Sequence, residues 1–163
     1  MEENSHEQLI KTDKSSVYNA VKYASFGIAG IGFLMFYQQP PLSILLIVIG
    51  VALFIYKRHL YVEYEYILID GEMDIDKIFE MSKRKTVVSF NVKEIELLAL
   101  EDSNYVKDFS GKPSKIINAV PKDKEEKAYI AMVTGRKDRF QLRFLPDEKI
   151  LDLLYKYCPR SVK

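Results

Sequence analysis

Hydrophobic and polar positions divide the chain into three regimes. Residues 17–56 contain no acidic side chain and one lysine, Lys22, in two apolar runs joined by Gln38-Gln39-Pro40-Pro41. As a helix, Val17 to Tyr37 would extend roughly 31 Å, about the hydrocarbon thickness of a bilayer. Leu42 to Tyr56 would reach only roughly 22 Å, so it needs Pro40 and Pro41 at one interface and Lys57 and Arg58 at the other. The pattern predicts an N-terminal two-helix transmembrane hairpin over 17–58, with helices at 17–37 and 41–57. Tyr18, Tyr23, Phe36 and Tyr37 stand where interfacial aromatic anchors belong, and Lys22 can snorkel. A re-entrant or buried soluble hairpin is the competing reading, but neither run has the polar stripe such a pair would show.

From Leu60 the period becomes two. Leu60–Ile69 alternates Glu63 and Glu65 with Val62, Tyr64 and Tyr66, and Asp70-Gly71 supplies a hairpin turn. Glu72–Met81, Thr86–Val92 and Glu94–Glu101 continue as strands, with Ser82-Lys83-Arg84-Lys85 read as a turn. Residues 102–127 carry turn chemistry around one short strand at Ile116–Val120. Ala128–Thr134 and Arg139–Leu145 form a last hairpin, and helix 147–158 follows with an apolar stripe at Ile150, Leu151, Leu154 and Tyr157 or Cys158. The expected fold is an α+β membrane protein. Its parts are a flexible tail at 1–16, the helical hairpin, a bent antiparallel sheet of about seven strands in domain 59–159, and a tail at 160–163.

Charge sharpens this division. About forty of the Lys, Arg, Asp and Glu residues fall in 57–163, which is how an anchor with an attached polar domain is laid out. The N-terminal segment is too acidic for the positive region of a signal peptide. Lysines precede the apolar pair, Lys57, Arg58 and His59 follow it, and the connecting loop is uncharged. The positive-inside bias therefore predicts a multi-pass protein of the cell membrane with both termini cytoplasmic. No strong basic excess favours nucleic acid, and the single Cys158 allows no internal disulfide. Gly30 and Gly50 lie at similar depth counted from the Gln39-Pro40 turn, so they are expected to face each other in helix packing. The alternative is that these glycines are tolerated in lipid or form a homodimer seam.

The run Tyr64-Glu65-Tyr66-Ile67-Leu68-Ile69-Asp70-Gly71-Glu72-Met73-Asp74-Ile75-Asp76-Lys77-Ile78, the basic Lys83-Arg84-Lys85 and the final hairpin and helix carry a resemblance. The chain resembles bacterial pleckstrin-homology-like (PH-like) domains found beside short transmembrane hairpins in small membrane proteins of uncharacterised function. The resemblance covers roughly residues 20–158, implies fold and membrane placement, and transfers no catalytic residue.

Chemical motifs are sparse. Asp70, Glu72, Asp74 and Asp76 alternate like calcium ligands but lack the glycine and glutamate spacing and the flanking helices of an EF-hand. His6, His59 and Cys158 are too scattered for zinc, and Ser110-Gly111-Lys112 lacks the spacing of a phosphate loop. No catalytic, metal or cofactor-binding residue is expected, and no enzyme activity. The candidate contacts to anionic lipid headgroups or a partner are Lys83, Arg84, Lys85, Arg136, Lys137 and Arg139, because a domain starting at Leu60 sits close to the bilayer, where each cation is worth about 1 kcal/mol. Solvated turns are the alternative. Two functions follow: a scaffold presenting a PH-like domain to an unknown protein partner or a second copy at the membrane face, or an accessory subunit of a membrane transporter or enzyme complex.

Overall fold

The computed structural model describes residues 4–12, 15–124, 126–135 and 138–163. Its eight strands form two four-stranded sheets. In the first, β1 (Ser5–Ile10), β2 (Val62–Ile69), β3 (Glu72–Phe79) and β4 (Lys83–Asn91) lie in sequence order, every pair antiparallel. In the second, β5 (Ile95–Leu100), β7 (Tyr129–Thr134), β8 (Arg139–Phe144) and β6 (Lys115–Asn118) lie in that order, and β6 runs parallel to β8. Helices α1 (Ser15–Leu34) and α2 (Pro40–Tyr56) interrupt the connection between β1 and β2. Helix α4 (Glu148–Tyr157) closes the chain, and the short α3 (Asn104–Lys107) follows β5.

This corrects the expected fold in three respects. First, among the described residues only one helix is long and apolar enough to cross a membrane, α2 with the 3-10 turn after it, Pro40–His59, at mean hydropathy 2.0. Helix α1 packs beside it, but Asn19, Lys22, Ser25 and three glycines dilute its apolarity, so the two-helix transmembrane hairpin and the multi-pass arrangement are not upheld. Second, the expected sheet of about seven strands is two sheets of four. Third, the expected all-antiparallel order fails at β6, which follows β5 in the chain but lies at the opposite edge of the sheet, beyond β7 and β8 and parallel to β8.

The tail expected at 1–16 contains β1. Two of its inward-facing residues, His6 and Gln8, are polar and only Ile10 packs against the core, so the strand shows little hydrophobic alternation. His6 Nε2 lies 2.7 Å from Asp147 Oδ2, and the Gln8 amide donates to Leu145 O and accepts from the Asp147 N–H, at 3.0 and 2.9 Å. Asp147 in turn caps α4 by accepting from the Ile150 N–H at 2.8 Å. The opening strand thus holds the last helix in place.

The core lies between the sheets. Tyr66, Leu68, Met73 and Ile75 from the first sheet meet Leu98, Val133, Leu142 and Phe144 from the second, and α4 contributes Ile150 and Leu154. Each large side chain buried here contributes about 1.5–3 kcal/mol. Tyr66 ties the layers together: its hydroxyl donates to Ala119 O at 2.8 Å and accepts from the Leu145 N–H at 3.2 Å. Burial drives its pKa upward, so the phenol stays protonated. The β2–β3 hairpin turns at Asp70-Gly71, both at positive φ (49° and 86°), as a two-residue turn matching strand twist requires.

Candidate membrane-facing site at the helix–sheet junction

Large apolar side chains on the helical pair have no cover. Tyr23, Phe26, Ile31, Phe33 and Leu34 on α1, Phe36 and Tyr37 in the loop, and Ile44, Leu45, Val48, Val51 and Ile55 on α2 are all exposed. Only 17% of the most apolar window of Pro40–His59 is buried. A contiguous apolar surface of this kind is foreign to a water-facing monomer. The helices meet through small residues: a Cβ on Gly50 would stand 2.9 Å from Ala29 Cβ and Ser25 O, and one on Gly32 would stand 3.0 Å from Ser43 O and from Leu46 and Ile47. Ser43, fully buried, donates to Gly32 O at 2.7 Å. The expected Gly30–Gly50 pairing is therefore corrected. Gly30 has nothing within 4 Å, because it lies on the outward side of α1, and Gly50 opposes Ser25 and Ala29.

The pair joins the sheets through a partly buried ion pair. Lys57, 6% exposed in the 3-10 turn after α2, donates to Glu80 Oε1. Tyr18 of α1 donates to the same carboxylate at 3.2 Å, and Arg58 Nε lies 3.8 Å from its other oxygen. The Lys57 ammonium also sits over the Phe54 ring at 4.4 Å and the Tyr18 ring at 5.1 Å. Hydrogen bonding from Lys57 holds the Glu80 carboxyl below its ordinary pKa, against a smaller opposing effect of burial. Glu80 and Met81 both adopt positive φ, 51° and 55°, a conformation unfavourable for such side chains. The carboxylate's three partners from the helical segment accompany that backbone, as is common where a turn is held for a purpose.

The expected basic turn is displaced by this arrangement. Glu80, Met81 and Ser82 make the turn, and Lys83, Arg84 and Lys85 open strand β4. Arg84 is engaged by carboxylates, as an ion pair with Glu65 and at 3.6 Å from Asp76. Glu65 and Asp76 are 5% exposed, and burial raises the Glu65 pKa, helped by a hydrogen bond with Glu7 and opposed by Arg84. Arg139 is engaged too, with its Nη2 2.8 Å from Glu96 Oε1. Arg136 and Lys137 lie outside the described residues. Arg84 and Arg139 are thus each tied to a carboxylate of the domain itself.

A cavity of about 320 Å³ opens beside the junction, lined by Tyr56, His59 and Leu60 after α2, Val62, Tyr64 and Lys77 on the sheet, Thr12, and Val120 to Asp123. Lys77 Nζ lies 5.0 Å from the Phe79 ring centre and 5.8 Å from that of Tyr64. Lys85 is its neighbour across the β3–β4 ladder. Burial, then the charges of Lys122 and Lys85, push the Lys77 pKa down. Sequence reasoning counted Lys122 among the lysines of a basic loop but missed Lys77 and the pairing of the two, because they lie 45 positions apart and only the approach of the 120–123 segment to β3 joins them. Among the described residues no group of three or more His, Cys, Asp or Glu is arranged to hold a metal ion.

Two four-stranded sheets around one core, closed by a C-terminal helix, define a PH-like domain, here with a helical pair inserted between its first two strands. The chain belongs to the bacterial PH-like domain family (DUF6106), whose model matches residues 2–163. No curated protein and no solved structure matches it. The match begins ahead of β1, in keeping with a domain that starts before the helices.

Proposed function

We propose that this protein is a membrane-anchored binding module, in which the helical insertion buries α2 in a bilayer and holds the PH-like domain against the cytoplasmic face. The observation that carries the reading is the uncovered apolar surface of α2 ending in Lys57, Arg58 and His59. Removing such a surface from water is favourable by roughly 25 cal/mol per Å², and cations at its end suit an anionic inner leaflet. The second support is the junction. With Lys57, Tyr18 and Arg58 all on Glu80, the domain has a fixed orientation relative to the helices, which suits presentation of a surface at constant height above the lipid. Its role is to recruit a protein partner or a second copy of the chain there.

The test is extraction of native membranes. The protein should stay in the pellet through high salt and alkaline carbonate and leave only with detergent. A variant carrying Val48→Asp and Val51→Lys should move to the soluble fraction. Release of the unaltered protein by salt alone would overturn the reading.

A further inference from the structure

The cavity at the junction combines features that the anchoring role does not use. Lys77, with its ammonium 5.0 and 5.8 Å from the ring centres of Phe79 and Tyr64, borders a space that Lys122 and His59 also line. Lys85 stands opposite it on β4. Among the described residues none of Lys77, Lys85 and Lys122 has a carboxylate within ion-pair distance, whereas Lys57, Arg84, Arg139 and Arg143 all do. Asp123 also lines the cavity, and its carboxylate, which accepts from the Thr12 hydroxyl at 2.9 Å, offsets one of these three charges and leaves an excess of cations. Clustered cations around a partly desolvated cavity are unfavourable unless an anion joins them. Lysine is a point-charge donor suited to a phosphate oxygen.

We infer that this cavity is a binding site for a phosphate ester, with Lys77 and Lys122 as its charged contacts, His59 at its membrane-side rim and Tyr56 and Tyr64 as apolar walls. Its volume, about 320 Å³, suits a phosphate with a glycerol-sized substituent. The ester is either a lipid headgroup or a free metabolite, and the two share this chemistry. The lipid source rests on the anchoring proposed above, since only then does His59 lie at headgroup depth. The free source does not.

The experiment measures how fast individual lysines of the full chain are acylated by an amine-reactive reagent, read by mass spectrometry. In neutral detergent the probe is sn-glycerol 3-phosphate. In nanodiscs, phosphatidylcholine alone is compared with phosphatidylcholine containing phosphatidic acid. Ligand at about ten times its Kd should slow acylation of Lys77 and Lys122 about tenfold and leave exposed Lys115 on β6 unchanged. Protection by glycerol 3-phosphate identifies a free ester, and protection only in phosphatidic acid discs identifies a headgroup. Both support the site. Lys122→Gln should abolish protection of Lys77, and Lys115→Gln should not. Lack of protection at Lys77 in every arm, or equal protection at Lys115, overturns the inference. Co-elution with the discs reports anchoring separately, so a protein that fails to enter them refutes the anchoring alone, while the glycerol 3-phosphate arm still decides the cavity.

Discussion

Lys57 and Glu80 form the partly buried ion pair through which the helical insertion grips the sheets, and each is held by more than the other. Lys57 lies over two aromatic rings, and Glu80 also accepts from Tyr18. Because Lys57 depresses the Glu80 pKa, this carboxylate adds stability that is present above its unfolded value and is lost as pH falls through its folded value. Acid should therefore loosen the junction first. In detergent, hydrogen exchange of residues 80–82 should rise on acidification, and Glu80→Gln should remove that dependence. In a double-mutant cycle with Lys57→Met the coupling should be of order 1 kcal/mol. Additive effects of the two substitutions would refute the coupling.

Strand β1 predicts a stability role for residues first read as a tail. Deleting residues 1–12 would leave the edge of β2 unpaired and remove both the His6 and Gln8 contacts to Asp147 and Leu145. The truncated protein should be less stable than the full chain by several degrees in Tm, and α4 should lose exchange protection. The narrower change Gln8→Ala should cost about 1 kcal/mol, since it leaves Leu145 O and the Asp147 N–H without their partner. Unchanged melting of the truncated form would show that β1 is dispensable.

How much was legible in the sequence follows from which physical signals are local. The Asp70-Gly71 hairpin, the alternation through Tyr64–Ile69 and the capped amphipathic helix at Glu148–Tyr157 all show in neighbouring residues, and the PH-like resemblance rested on them. Strand β1 escaped because its partner lies 54 to 64 positions away and, apart from Ile10, its inward side chains satisfy polar groups rather than bury apolar ones. The parallel placement of β6 depends on a crossover that no period reveals. Among the candidate contacts, Arg84 and Arg139 looked free because Glu65 and Glu96 are remote in sequence. Lys77 was invisible for the converse reason, since a lone lysine on an alternating strand reads as solvated and only the fold sets it beside a cavity.

Glu65 should show the opposite pH behaviour to Glu80. Burial raises its pKa, with Glu7 adding to the effect. Its folded value therefore lies above the unfolded one, and its contribution is fully present below the unfolded pKa and is lost as pH rises through the folded value. Glu65→Gln should accordingly gain stability relative to the unaltered protein as pH increases, because the amide avoids placing a desolvated charge beside Asp76. Arg84, half-exposed, can turn to solvent when its partner is neutral. Thermal melts from pH 4 to pH 8 test this, and a Tm difference that shrinks with rising pH would contradict the assignment.

The helix pair makes a contrasting prediction for two glycines of similar depth. A Cβ on Gly50 would press into Ala29 Cβ and the Ser25 carbonyl at 2.9 Å, and the carbonyl belongs to helix backbone that cannot turn aside. A Cβ on Gly30 meets nothing within 4 Å. Gly50→Leu should therefore force α1 and α2 apart and cost about 1–3 kcal/mol, whereas Gly30→Leu should leave the pair unchanged or slightly firmer through better helix propensity. Cysteines at Phe26 and Phe54, whose rings meet across the helix pair at 5.5 Å, in a Cys158→Ser background would report the separation. Oxidative cross-linking should persist with Gly30→Leu and fall sharply with Gly50→Leu. Equal loss for both would mean that the outward side of α1 is itself covered, by a second copy or another helix packed along Gly30.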